Sequence, residues 1–126
     1  MNDERAVLSA RIASVCEVGD PPVLVAACAE EADGSGFGLE FQLARWFDDQ
    51  DRRLGMDTYC VCTSEGATHY GGLLSLTVNG DLVELDLEPA AAAVLGVPQR
   101  IGLHLLVDAE SAAAFNGALR VVLGRV

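Results

Sequence analysis

Hydrophobic side chains recur at every second position along most of this chain, the period of half-buried β-strands. Over residues 6–18, Leu8, Ala10, Ile12, Cys16 and Val18 fall on one face, with Ser9, Arg11 and Glu17 on the other. Gly19-Asp20-Pro21-Pro22 then calls for a turn, because Pro fixes φ and cannot donate to a sheet ladder. Residues 23–29 are apolar on both faces, as in a strand covered on both sides. A flexible glycine-rich loop over residues 32–38 leads into Leu39, Phe41 and Leu43, which point inward while Glu40 and Gln42 point outward. Residues 44–57 have no clean period and read as an ordered loop, and residues 58–63 resume as a strand.

Asn79-Gly80 predicts a hairpin over residues 73–87 closed by a type I′ turn. A two-residue loop there pairs Val78 with Asp81, Leu76 with Val83 and Leu74 with Leu85, so that Leu74, Leu76, Val83 and Leu85 share one buried face. Pro89, four alanines and Gly96 predict a short helix over residues 89–95. Alternation returns over residues 101–107 as a strand. Asp108 is placed to cap a final helix to about Leu123, with Gly124 at its C-terminal stop. The apolar stripe of that helix is Ala112, Phe115, Leu119 and Val122, and Gly117 weakens it near its middle. No repeat or linker divides the chain, so residues 1–126 are expected to form one α+β domain. The expected architecture is a mainly antiparallel, curved sheet of about six or seven strands. The short Ala-rich helix accompanies it, and the C-terminal helix packs on one face.

Composition narrows the function. The chain is 51% hydrophobic, which excludes intrinsic disorder. Its 19 acids face eight bases, all Arg, for a formal charge of −11. No basic stripe for a phosphate backbone can be assembled, so no nucleic acid is expected as partner. An acidic surface instead attracts a basic protein, besides keeping the chain soluble. No apolar run is long enough to span a bilayer, and Asn2-Asp3-Glu4-Arg5 puts acid where a secretory signal needs a cationic region. A cytoplasmic protein with reduced thiols and no membrane partner is the expectation.

Candidate chemistry is sparse. His104 lies in a strand and reads as a surface or core histidine. Thr68, His69 and Tyr70 stand together before Gly71-Gly72, where a bulge or the close approach of another chain is favoured. Cys60 and Cys62 lie two apart on one strand face, too close for zinc-ligand spacing, so neither a metal nor another cofactor is expected. No nucleophile, base and acid converge, which argues against an enzyme. The segment Trp46-Phe47-Asp48-Asp49-Gln50-Asp51-Arg52-Arg53 has the aromatic and Arg content of an interface hot spot, set among acids.

Several stretches resemble one known family. They are Gln42-Leu43 at a strand end, Gly55-Met56-Asp57-Thr58-Tyr59-Cys60, and Thr68-His69-Tyr70-Gly71-Gly72, followed by the hairpin and by Leu95-Gly96 closing the short helix. Over roughly residues 39–97 this pattern resembles immunity protein 10 of bacterial polymorphic-toxin systems. The resemblance implies an intracellular antidote that binds a toxin domain and blocks it. Three readings follow. The first is a toxin binder using Trp46, Phe47, Asp48, Asp49, Asp51, Arg52 and Asp57, with His69 and Tyr70 beside them. The second is a small-molecule or metal site around His69, Tyr70, Tyr59 and Cys60. The third is a homodimer through a sheet edge or face.

Overall fold

The structure, a computed structural model, describes residues 5–124 and the side chains from residue 7 onward. Asn2, Asp3 and Glu4, the acidic opening noted above, lie outside the described residues. Among these residues the chain forms β1 (Arg5–Ala10), β2 (Ile12–Val18), β3 (Val23–Ala29), β4 (Gly38–Ala44), α1 (Asp49–Arg53), β5 (Cys60–Thr63) and β6 (Thr68–Tyr70). It continues with β7 (Leu73–Asn79), β8 (Leu82–Leu87), α2 (Pro89–Leu95), β9 (Arg100–Leu105) and α3 (Ala109–Leu123). The class is α+β, and α3 packs on a sheet face, as the pattern indicates. The strands divide between two open sheets, in the orders β1-β9-β8-β7 and β2-β3-β4-β5-β6. All neighbouring pairs are antiparallel except β1 with β9.

Two sheets arise because the first extended segment switches partners at Arg11. The Ala10 carbonyl still accepts from Leu106 N–H at 2.8 Å, on the β9 side, whereas Arg11 N–H donates to the Ala29 carbonyl at 3.0 Å. One interposed residue changes which side chains face the core, since side chains alternate with period two. Leu8 and Ala10 are buried, but in β2 it is Ala13, Val15 and Glu17 that pair with the core-facing Cys28, Ala26 and Leu24. Ile12, Ser14, Cys16 and Val18 turn to the opposite face, and Val18 is 51% exposed. The expected continuous inward face through Cys16 and Val18 therefore ends at Arg11.

The buried side chains of both sheets and of α2 and α3 form one continuous cluster. Helix α3 lies against β2, β3 and β4. It seats Phe115 edge-on to Phe41, with ring centroids 6.5 Å apart and planes at 72°, the favoured geometry for an aromatic pair. Asp108 caps α3 as expected, accepting from Ser111 N–H at 2.7 Å. The helix runs through Gly117 unbroken, because Phe115, Ala118, Leu119, Val122 and Leu123 are all buried on one stripe. Gly124 has φ −68°, so it is no left-handed cap; a Cβ there would strike the Arg120 carbonyl. Helix α2 forms as read from Pro89 and packs on β6.

The hairpin is present with its loop one residue further along the chain, so each partner on β8 lies two residues beyond the expected one. Asn79 pairs with Leu82, Val78 with Val83, Thr77 with Glu84 and Leu76 with Leu85. The loop is thus Gly80-Asp81, with Gly80 at φ +63° and, among the described residues, no non-glycine residue at positive φ. Glycine at the first loop position is the type II′ pattern, which satisfies the same sequence signal with a different closing pair. Leu76, Val83 and Leu85 still share a face, now joined by Val78. Leu74 does not: the register shifts between Leu73 and Ser75, and Leu74 is 57% exposed.

That register has a measurable consequence. Leu85, 2% exposed, should cost about 2–5 kcal/mol on truncation to Ala, as a buried Leu does. Leu74→Ala should stay within about 0.5 kcal/mol. Chemical denaturation of the two variants checks this, and equal losses would contradict the register.

Candidate protein-binding surface

Because α3 occupies one face of the five-stranded sheet, alternate residues of its strands face the other way. The pairing aligns them in rows. Cys16, Val25, Gln42, Cys60 and Tyr70 form one row across all five strands, and Ser14, Ala27, Glu40, Cys62 and Thr68 form the next. The floor is made of small and polar side chains. At one end a hollow of about 280 Å³ lies among Ile12, Ser14, Ala27, Glu40 and Cys62, bounded by Gly34 of the 30–37 loop. At the other end a pocket of about 140 Å³ is walled by the segment that carries α1, through Phe47, Asp51 and Met56.

Segment 44–57, expected as an ordered loop, contains the five-residue helix α1. Its cause is a reciprocal cap: Asp48 accepts from Asp51 N–H at 2.7 Å, and the Asp51 carboxylate accepts from Asp48 N–H at 3.0 Å. Such a box satisfies two otherwise orphan donors at a helix start. Asp-x-x-Asp was the signal for it, overlooked because an acidic run also fits a solvated loop. Asp48 and Asp51 are thus part-buried and engaged in structure. Asp49 and Asp57 are exposed, and Asp49 accepts from Arg52 at 3.0 Å, a surface pair of small energetic value. Trp46 is 60% exposed while Phe47 packs against the core, so one aromatic anchors the segment and the other is presented to solvent.

The pair His69 and Tyr70 is divided by the sheet. Tyr70 lies in the outward row. His69 pairs with Val61, which pairs with Phe41, and so lies on the core side. There its Nδ1 lies 3.2 Å from the Gly71 carbonyl, which accepts its proton. Gly72, at φ +95°, is required by space as well as by backbone: a Cβ would stand 2.6 Å from Ala91 Cβ and 3.0 Å from the imidazole. The two glycines let β6 turn beneath α2. Tyr59 is buried, accepting from Leu73 N–H at 2.9 Å through its hydroxyl and from Gly71 N–H through its carbonyl. Burial pushes its phenol above the ordinary value. Burial, with Cys62 beside it, also pushes the Cys60 thiol up to about 12, leaving it a poor nucleophile. His69, Tyr70, Tyr59 and Cys60 therefore do not converge on one cavity. His104 is a surface residue 3.2 Å from Asp81. Among the described residues no group of three or more His, Cys, Asp or Glu is placed to hold a metal ion, and no helix is long and apolar enough to cross a membrane.

The arrangement brings Phe47, Asp51 and Tyr70 to one pocket and leaves Trp46, Asp49, Arg52 and Asp57 on the exposed segment above it. It also adds Gln42 and Met56, which lie in the stretches that resemble the family. The outward phase of Gln42 was readable from alternation, whereas the proximity of Met56 depends on how α1 folds back.

The chain belongs to the immunity protein 10 family, whose model matches residues 9–113. The match extends the resemblance to the N-terminal strands and into α3. No curated protein and no solved structure matches the chain.

The capping box separates the acids experimentally. Asp48→Ala should cost about 1 kcal/mol of stability, the usual value of a lost N-cap, whereas Asp49→Ala should change it by less than about 0.5 kcal/mol. Denaturation midpoints distinguish them, and equal effects would contradict the cap.

Proposed function

We propose that this immunity protein neutralises a cognate bacterial toxin domain in the cytoplasm by holding it against the outer face of the five-stranded sheet. The observation that carries the reading is Trp46, a large aromatic left 60% exposed on the segment that forms the rim of the outer-face pocket. Trp is among the residues enriched where the binding energy of an interface concentrates. Phe47 holds that rim in place from below. The net charge of −11 supplies the second element, long-range attraction for a basic toxin surface.

Anchoring and steering fall to different residues, so they separate kinetically. With a cognate toxin domain as the ligand, Asp49→Asn with Asp57→Asn should slow association and flatten its salt dependence. Asp48 and Asp51 are left intact because they hold α1. Trp46→Ala should instead speed dissociation, by about 2 kcal/mol, a factor of about thirty, with little change in stability. Surface-bound kinetics with parallel denaturation curves test both. Unchanged rates in folded variants would remove this face from the interface.

A further inference from the structure

We propose that the pocket beneath α1 receives the guanidinium group of an arginine side chain presented by the protein partner. The partner as the source of that arginine rests on the toxin-binding reading; the pocket's chemistry does not. Its volume, about 140 Å³, is well below that of a drug-sized ligand site, but suits the end of one long side chain. Its lining combines three features that select a flat cation. Phe47 and Tyr70 contribute aromatic surface, over which guanidinium groups stack. Met56 and Val23 are apolar and accommodate the aliphatic stem. Asp51 is the one charged residue among the lining side chains.

Acceptor capacity remains at this site. A carboxylate offers about four lone-pair positions, and Asp51 uses one of its oxygens for Asp48 N–H. Gln42 Oε1, also at the pocket, receives only the weak Cys60 S–H at 3.7 Å, while its amide N–H donates to Glu40. Carboxylate, amide oxygen and aromatic surface together match a planar group with several donors better than a compact ammonium. The polar hollow on the outer face of the other sheet makes a contrast. It holds its own cation, Arg100, 3.5 Å from Asp86, and so lacks this demand.

The test follows the Met56 methyl resonance during titration with butylguanidinium chloride, butylammonium chloride and the neutral isostere N-butylurea. A saturable shift is expected with butylguanidinium, a weaker one with butylammonium and none with N-butylurea. Asp51→Asn keeps an oxygen for Asp48 N–H and should weaken butylguanidinium about tenfold, the loss of a charge-assisted hydrogen bond. Tyr70→Leu, on an edge strand, should weaken it independently if Asp51→Asn perturbs α1. Glu110→Gln, exposed in the first turn of α3 and outside the pocket, should leave it unchanged. No saturable shift, or an equal response to butylammonium or N-butylurea, overturns the proposal. Intact butylguanidinium binding in a chain that fails to capture the toxin domain would overturn the docking reading and not the pocket.

Discussion

The surface depends on where α3 sits. Phe115 meets Phe41 on one face of the five-stranded sheet, and the rest of the α3 stripe closes that face. Side chains of a strand alternate, so filling one face with Phe41, Val61, Ala26 and Leu24 commits Gln42, Cys60, Val25 and Cys16 to the other. With α2 engaged on β6, the helix on that second face is the short α1, whose segment walls a pocket at one end of it. Its floor alternates short side chains, among them Ser14, Ala27, Cys60 and Cys62, with the polar Glu40 and Gln42. Burial on one side thus defines what is offered on the other.

Much of this was legible where one signal had one solution. Pro89 and Gly96 bracket α2, Asp108 caps α3, and the 3.6-residue stripe through Phe115 and Leu119 is buried as read. Legibility failed where two solutions satisfied the same residues. Asn79-Gly80 suits a type I′ loop, yet Gly80-Asp81 closes a II′ loop with equally apolar pairing, so turn chemistry alone did not determine register. Arg11 interrupts alternation without a glycine or proline to announce it. Its effect comes from pairing with β3, a contact between residues far apart in sequence.

The candidate site was legible by composition and not by geometry. Trp46 and Phe47 were recognisable as aromatics in a charged segment, but their opposite orientations follow from α1, whose reciprocal Asp48 and Asp51 bonds looked like a solvated acidic run. His69 and Tyr70 are adjacent in sequence and therefore on opposite faces of β6. The sequence motif joins a structural residue to a surface one. His69 and the glycines shape the turn under α2, which holds Tyr70 at the pocket. In the proposed interface, steering by distant charge and anchoring by a few desolvated groups are assigned to separate residues of one segment.

Backbone hydrogen exchange of the chain, alone and with its toxin domain, tests the location of binding most directly. Protection on complex formation should concentrate in residues 44–58 and in β4, β5 and β6, with little change in β7, β8 and β9. Protection concentrated in β7 to β9, with residues 44–58 exchanging as in the free chain, would contradict docking on the face opposite α3.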